Sequence, residues 1–302
     1  MPQKRSPRRG SLAFYPKKRA ARIYPALSTY PQVDKPKFLD FAGYKAAMLH
    51  AILMDNRKGS PTFGQEIFRS VTVIECPPMK VLGIRAYRQT DRGLKVFNEK
   101  ISEIEKNLDK VFKIRLIVST QPKLSGIGKK TVELFETSMG GKDVKENFAF
   151  AKEWVNKEIA AKDVFKEGEL VDVVAVTTGK GTAGPVKRFG VTIQSRHAKE
   201  KRRHVGTLGQ ERPGKVRPTV PMRGQLGFQT RTELNKRILK IGEKGEEITP
   251  KSGIRGYGLV KSNYILLEGS IPGPKKRLIR LRAAIRPSKV KLLVPEIREV
   301  VR

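Results

Sequence analysis

Residues 169–178 read ELVDVVAVTT, a short run dominated by β-branched side chains that predicts a strand. After Thr178, the apolar residues show neither the period of a strand nor that of a helix until about Asn235. Strand-like runs then return, and two more lie upstream. They are VTVIE (71–75), KVLGIRAY (80–87), RILKIG (237–242), YILLEG (264–269), RLIRLRAAI (277–285) and KLLV (291–294). Strands therefore flank two interruptions, which indicates a mainly β core.

The first interruption predicts an α+β module. KIRLIVST (113–120) reads as a strand with Ile114, Leu116 and Val118 on one face. Asp143 and Glu146 have the spacing of a capping box. Trp154 adjoins the second helical stripe and is predicted to pack. The two helical stripes are Leu94, Phe97, Ile101, Ile104 and Leu108, then Val144, Phe148, Ala151, Val155 and Ile159.

Residues 43–55, GYKAAMLHAILMD, fit two structures. The alanines favour a helix by intrinsic propensity, whereas the length also suits a strand. The residues themselves leave this choice open.

The charge balance points to a polyanionic partner. The 302 residues include 63 Lys and Arg against 29 Asp and Glu, a formal net charge of +34. Nucleic acid fits best, because a basic membrane binder would show an amphipathic basic helix or a lipidation motif. No signal peptide or spanning segment is expected, so no membrane partner is either. Cys76 is the single cysteine, which indicates a reducing compartment.

The first 33 residues contain no acid. Aromatic residues and prolines are interleaved with their cations. One interpretation is a disordered basic tail, and the other is an arm that becomes ordered along RNA, with cations on phosphates and aromatics on bases. The cations are Lys4, Arg5, Arg8, Arg9, Lys17, Lys18, Arg19 and Arg22.

The second interruption, residues 180–231, holds thirteen Lys or Arg and two acids, Glu200 and Glu211. Its glycines allow backbone to approach backbone closely, and its prolines stiffen extended stretches. This composition predicts a finger between phosphate backbones that gains its order from RNA.

Three motifs resemble catalytic or cofactor sites, and none has the necessary context. Gly179, Gly181 and Gly184 have dinucleotide-binding spacing, but neither a helix nor a second strand with an acid is expected to follow. GIGKKT (126–131) lacks the upstream glycine of a P-loop. His50 is expected to pack in an apolar run. A single thiol argues against zinc, so no metal, cofactor or catalytic residue is predicted.

Four segments resemble the family of large-subunit ribosomal protein three, the universal L-three family, in its archaeal form. The specific ones are VDVVAVTTGKGTAGPVKRFG (171–190), RRHVGTLGQERPGKV (202–216) and MRGQLGFQTRTELNKRILKIG (222–242). GYKAAMLH (43–50) resembles the first barrel segment, which favours strand over helix there.

The resemblance implies a closed β-barrel core with an inserted helical domain, a long basic N-terminal extension and a long internal loop. The expected division is an extension at 1–37, a barrel at 38–88 and 168–302, an insert at 89–167, and a loop at 180–231. The family binds large-subunit rRNA near its 3′ end, early in assembly, beside other large-subunit proteins in the cytoplasmic ribosome. It is not an enzyme and uses no small-molecule substrate.

The resemblance places the loop tip at Gln210, Glu211 and Arg212, near the peptidyl transferase region. Many archaeal members have tryptophan where Glu211 stands, and Gln210 corresponds to a glutamine that some bacterial members methylate. The predicted rRNA-binding residues are Arg5, Arg8, Arg9, Lys17, Lys18, Arg19, Arg22, Lys180, Lys187, Arg188, Arg196, His197, Lys199, Lys201, Arg202, Arg203, His204, Gln210, Arg212, Lys215, Arg217, Arg223 and Arg231.

Two rival functions are compatible with parts of the sequence. Composition alone would allow a free-standing nucleic-acid-binding regulator or a chromatin-like protein. The glycines after Thr178 leave a weaker alternative, a nicotinamide-dependent enzyme.

Overall fold

The computed structural model describes residues 7–57, 59–212, 214–288 and 293–301, and it is mainly β-structure. Two compact units divide the chain. The larger takes in Ile23–Ala175 and residues from Arg231 onward, and the smaller takes in residues 7–22 and Val176–Thr230.

Strands account for most of the regular structure, and the α-helices are short. The described helices are α1 (Ile101–Lys106), α2 (Val144–Trp154), α3 (Ala161–Val164) and α4 (Pro185–Phe189). The described strands are β1 (Asp40–Met54), β2 (Glu66–Glu75), β3 (Met79–Thr90), β4 (Gly93–Asn98), β5 (Lys113–Ser119), β6 (Leu134–Ser138), β7 (Glu158–Ile159), β8 (Leu170–Val176), β9 (Thr182–Ala183), β10 (Gly224–Gln225), β11 (Thr230–Gly242), β12 (Tyr264–Glu268), β13 (Leu278–Ala283) and β14 (Glu296–Val301).

A seven-stranded sheet has the strand order β13-β8-β11-β12-β2-β1-β14, with a further pairing between β13 and β1. β1 changes neighbours along its length. Its first residues pair with β13, with Tyr44 opposite Leu278, and its last residues pair with β14, with His50 opposite Val301. The predicted strands at residues 71–75, 169–178, 237–242, 264–269 and 277–285 all fall in this sheet.

The ambiguous stretch at residues 43–55 is a strand, as the resemblance implied. Ala46, Ala47 and Ala51 are buried against the apolar faces of neighbouring strands. Gly43 permits the closest approach, because a Cβ atom there would lie 2.6 Å from Ile74 Cγ2. Small side chains serve sheet packing here, and tertiary packing overrides their helix propensity.

A second sheet has five strands: β4, β3, β5 and β6 in order, with β7 beside β3. KVLGIRAY therefore forms a strand, but β3 pairs in this sheet, although the expected division put residues 80–88 in the barrel. In β5 the predicted face is correct, since Ile114, Leu116 and Val118 are buried.

The first predicted helical stripe is largely wrong. Leu94 and Phe97 lie in β4, and α1 covers Ile101–Lys106 alone. The cause is a hairpin: Gly93 has φ +96°, and Thr90 donates its hydroxyl to the Gly93 carbonyl at 2.7 Å. β4 then pairs with β3, which supplies hydrogen bonds that an isolated helix of this length cannot match.

The second predicted helix exists but is shorter and differently capped. α2 begins after Asp143, yet no side-chain cap hydrogen bond forms there. Val155 follows the helix and Ile159 lies in β7, where it is buried. Trp154 packs edge-on against the Phe38 ring at 4.9 Å, as a packing residue should.

One apolar core continues through both sheets. It contains Phe41 from β1, Ile84 from β3, Leu116 from β5, Phe148 from α2 and Val173 from β8. The predicted α+β insert is therefore built on the same core as the seven-stranded sheet.

The predicted strand at 291–294 is wrong where the structure describes it. Leu293 and Val294 are not in a strand, and residues 291–292 lie outside the described residues. The strand β14 begins after Pro295 instead, because proline lacks the backbone N–H that a ladder requires.

Candidate nucleic-acid interface

The base of the smaller unit is an antiparallel backbone ladder. Lys180 donates its N–H to the Leu226 carbonyl at 2.9 Å, and Leu226 donates to the Gly181 carbonyl at 2.9 Å. The β9–β10 pair continues it. Gly227 has φ +70°, and a Cβ there would lie 2.1 Å from the Thr178 carbonyl oxygen. The two sides of the long loop thus approach so closely that the position requires glycine.

Arg188, on α4, holds several backbone segments of this unit together. Its guanidinium donates to the carbonyls of Gln225 at 3.0 Å, Met222 at 2.9 Å and Lys17 at 3.3 Å. Charge-assisted bonds of this kind are stronger than neutral ones. Arg188 therefore organises the unit, and its side chain is less available to phosphates than the sequence prediction assumed.

The described part of the N-terminal arm packs on the long loop. The Tyr15 and Phe189 rings stack with centroids 6.0 Å apart. Gly10 has φ +81°, and a Cβ there would lie 2.8 Å from the Phe189 ring. Arg8 donates to the Thr219 carbonyl at 2.7 Å. The disordered-tail interpretation is therefore wrong for residues 7–22, and the Tyr15 ring packs on protein.

The arm and the loop are also joined near the base of the unit. Ala20 donates its N–H to the Phe228 carbonyl at 2.8 Å. The Arg19 guanidinium lies 4.8 Å from the centroid of the Phe228 ring, within cation–π range.

A compact turn presents the densest group of cations. Gln194 donates its N–H to the Arg202 carbonyl at 3.0 Å and closes the turn. Inside it Lys199 has φ +46°, a left-handed conformation that is uncommon for lysine. The turn exposes Arg196, Lys199, Lys201, Arg202 and Arg203.

The described residues of the smaller unit contain eighteen Lys or Arg and two acids, Glu200 and Glu211. Lys17 and Arg188 are half-buried. Arg231 lies in the larger unit, and Arg5 lies outside the described residues. The remaining predicted binding residues are exposed: Arg8, Arg9, Lys18, Arg19, Arg22, Lys180, Lys187, Arg196, His197, Lys199, Lys201, Arg202, Arg203, His204, Gln210, Arg212, Lys215, Arg217 and Arg223.

The predicted tip residues are fully accessible. Gln210, Glu211 and Arg212 are exposed, and Gly209 beside them has φ +146°. In the described part of the chain, Glu211 forms no salt bridge, with Arg212 or with any other cation. Arginine and lysine side chains are thus exposed on this unit, an arrangement that can bind a chain of phosphates.

The chain matches the family model of ribosomal protein L3 over residues 1–113 and 99–301. The chain belongs to the ribosomal protein L3 family. It is 50% identical to the large ribosomal subunit protein uL3 of Methanopyrus kandleri, with 94% of this chain and 86% of that protein covered. The same protein of Archaeoglobus fulgidus is 46% identical, with 94% and 93% covered.

The glycines that suggested a nucleotide site have another use in this L3-family protein. Gly181 accepts the ladder bond from Leu226, and Gly184 precedes α4. α4 spans five residues and is followed by Gly190, which has φ +67°. The residues after these glycines were predicted to form no helix, so the short α4 corrects that prediction. It is far shorter than the helix that a dinucleotide-binding unit needs, which removes the basis for the nicotinamide alternative.

The structure also defines the surroundings of the groups that were weighed as chemical sites. His50 stacks on Phe68 with ring centroids 4.7 Å apart, but it is exposed, so it packs at the surface and not in the apolar interior. Burial raises the pKa of the Cys76 thiol, which keeps it protonated and unreactive. Among the described residues, no group of three potential metal ligands comes together, and no helix is long and apolar enough to cross a membrane.

The larger unit contains two buried ion pairs that were not predicted from the sequence. Arg280 pairs with Asp40, and Arg282 pairs with Asp172 at 2.9 Å. The arginines also donate to carbonyls of the N-terminal segment, at Pro25 (3.5 Å) and Thr29 (2.8 Å), which ties that segment to the strands. The available signal was two arginines at alternate positions of β13, because charged residues are costly inside a sheet unless they are paired.

Proposed function

We propose that this chain is a structural protein of the large ribosomal subunit and that its smaller unit inserts between backbone segments of large-subunit rRNA. The observation that carries the proposal is the charge balance of that unit: eighteen cations and two acids on a scaffold of its own. Self-repulsion of this size needs a polyanion. The names of the relatives, large ribosomal subunit proteins, support rRNA as this polyanion.

The exposed cations of residues 7–22 and of the long loop neutralise phosphates in this proposal. Arg202 and Arg203 lie in the densest turn and are the foremost candidates. Arg188 has a supporting role, because its guanidinium donates to three backbone carbonyls. The unit binds near the 3′ end of the rRNA and helps to nucleate assembly, beside neighbouring large-subunit proteins in the cytoplasm.

The tip extends toward the peptidyl transferase region. The exposure of Gln210, Glu211 and Arg212 supports this direction of the proposal. Glu211 stands where many archaeal members have tryptophan, so base stacking by that side chain is no part of the function proposed for this chain.

We also propose that the seven-stranded sheet is a closed barrel. The strand order begins at β13, whose neighbour in that order is β8. Because β13 also pairs with β1, near the other end of the order, the sheet returns on itself, which supports closure. The pairing of β3 with β4 and β5 supports an insert that begins at Met79, earlier than the sequence suggested.

Co-sedimentation tests the ribosomal function. Tagged protein expressed in an archaeal host should migrate with large subunits and remain there after a high-salt wash. The R202A/R203A variant should be released at lower salt, because it lacks two phosphate contacts. K100A/K152A is the matched control, since both lysines pair with acids on the surface. Recovery of wild-type protein on DNA, or free of subunits, would instead favour a regulator or chromatin protein.

A further inference from the structure

Three segments of the larger unit share the composition of the long loop. Residues 121–132, 249–262 and 270–277 contain no Asp or Glu. Each contains both glycine and lysine, and each includes at least one proline. None of them was among the predicted binding residues. The three segments together are named the three-loop surface.

The three segments converge in the fold. Gly126 packs directly on the second segment, because a Cβ at this position would lie 1.9 Å from the Leu259 carbonyl oxygen. Lys275 donates its ammonium to the Arg255 carbonyl at 2.5 Å, which joins the third segment to the second. Residues far apart in sequence thus form one continuous surface.

Glu75, at the end of β2, positions two of these loops from beneath. It is fully buried, and its carboxylate accepts backbone N–H bonds from Lys261 at 2.7 Å, Ser262 at 3.0 Å and Gly126 at 3.2 Å. The Tyr257 hydroxyl donates to the same group. A carboxylate satisfied by four donors is a rigid anchor. Glu75 therefore positions two loops that contain cations and no acidic residue.

Most of the exposed charge on the three-loop surface lacks acidic partners, although the half-buried Lys129 pairs with Glu133. Seven of its cations are exposed, and within the described residues none of the seven forms an ion pair. Elsewhere on the larger unit, exposed lysines do pair, as in Lys152–Glu105 and Lys162–Glu243. The seven are Lys123, Lys130, Lys251, Arg255, Lys261, Lys275 and Lys276.

We infer that the three-loop surface is a second RNA-binding site, which contacts phosphates independently of the smaller unit. The inference rests on the proposed function, since it assigns a further contact surface to the same rRNA. Seven unpaired cations on anchored loops repel one another unless a polyanion approaches. Gly253, Gly256 and Gly258 have positive φ and no side chain, which lets a phosphate backbone come close to the protein backbone.

A salt titration of the full-length protein tests the inference. The probe is a transcript of the 3′-terminal domain of archaeal large-subunit rRNA, and affinity is measured between low and moderate salt. K251A/R255A/K275A should reduce the slope of log affinity against log salt by about 2 to 3, since each phosphate contact adds roughly 0.7–0.9. Hydroxyl-radical footprints should lose one set of protected nucleotides while keeping the set that depends on Arg202 and Arg203.

The matched control is K100A/K152A/K162A, which removes the same charge from paired positions on the same unit. Its slope should stay at the wild-type value. Equal slopes for the two triple variants would overturn the inference, including the case in which the surface binds an acidic protein. R202A/R203A is titrated in parallel: if it lowers the slope while K251A/R255A/K275A does not, the second site fails and the proposed function stands. If wild-type protein shows no salt dependence, the proposed function fails.

Discussion

Arg280 is among the largest side chains that are fully buried in the described residues. Its guanidinium pairs with Asp40, donates to the Glu136 carbonyl at 2.9 Å and lies 4.2 Å from the centroid of the Phe135 ring. A buried charge that loses its partner is strongly destabilising, although the intact pair contributes little net stability. The fold therefore depends on Asp40 and Arg280 together, because each charge offsets the cost of burying the other.

Replacing Asp40 with alanine tests how much Arg280 depends on its counter-charge. D40A should lower the free energy of unfolding by about 3–5 kcal/mol, because Arg280 stays buried without its counter-charge. Urea denaturation monitored by circular dichroism measures it. Glu105 pairs with Lys152 on the surface and gives the control: E105A should change stability by less than about 1 kcal/mol. Equally small effects would mean that water or another acid neutralises Arg280.

At the scale of the element, the connection between β1 and β2 is a small turn built around one carboxylate. Asp55 accepts hydrogen bonds from the Thr62 hydroxyl at 2.6 Å, the Ser60 hydroxyl at 2.7 Å and the Arg57 N–H at 3.1 Å. These bonds favour the ionised form and lower the pKa of Asp55 to about 2. The turn is therefore an acid-sensitive element.

The sign of its pH dependence follows from linkage. A lowered carboxyl pKa stabilises the folded state above the ordinary value near 4, and this contribution is lost as the pH falls through about 2. NMR titration of the Asp55 carboxyl carbon should give a midpoint of about 2, and T62V should raise that midpoint because it removes the hydroxyl that donates to the carboxylate at 2.6 Å. S288A, remote in sequence from the turn, is the control. A wild-type midpoint near 4 would show that the turn does not hold the carboxylate.

At the scale of the whole molecule, the two units differ in what stabilises them. The larger unit has a continuous apolar core, whereas none of the described residues between 191 and 218 is buried. Ordering such a segment costs about 1–2 kcal/mol per residue with little apolar burial to offset it. The packed part of the smaller unit, around Arg188 and Phe189, lies between these extremes.

Limited trypsin digestion of the free protein should therefore cut first between Arg196 and Arg217. Cuts within residues 7–22 and around Arg188 should follow later, because those residues pack on one another. The strands of the larger unit should resist longest, and in large subunits that contain the protein the long loop and residues 7–22 should both resist cleavage. Mass spectrometry of the timed fragments identifies each cut. First cleavage in β1 or β8 would mean that the loop has a stabilising core of its own.

The sequence alone determined the charge distribution, most strands and the family, because these depend on composition, period and ordered local motifs. Acid-free segments point to a polyanion whatever the fold, and alternating apolar residues specify which face of β5 is buried. The same local reasoning predicts that RNA binding concentrates in the long loop.

Only the tertiary structure decided which segments meet. Residues 94–98 form a strand because β3 supplies their hydrogen-bond partners. The alanines of β1 lie in a strand because β2, β13 and β14 pair with it. Glu75 and Arg188 could not be recognised as organisers, since their partners are distant in sequence. The local pattern specifies which side chains a segment can bury and which hydrogen bonds it can donate. Long-range packing decides which other segment lies against it and accepts those bonds.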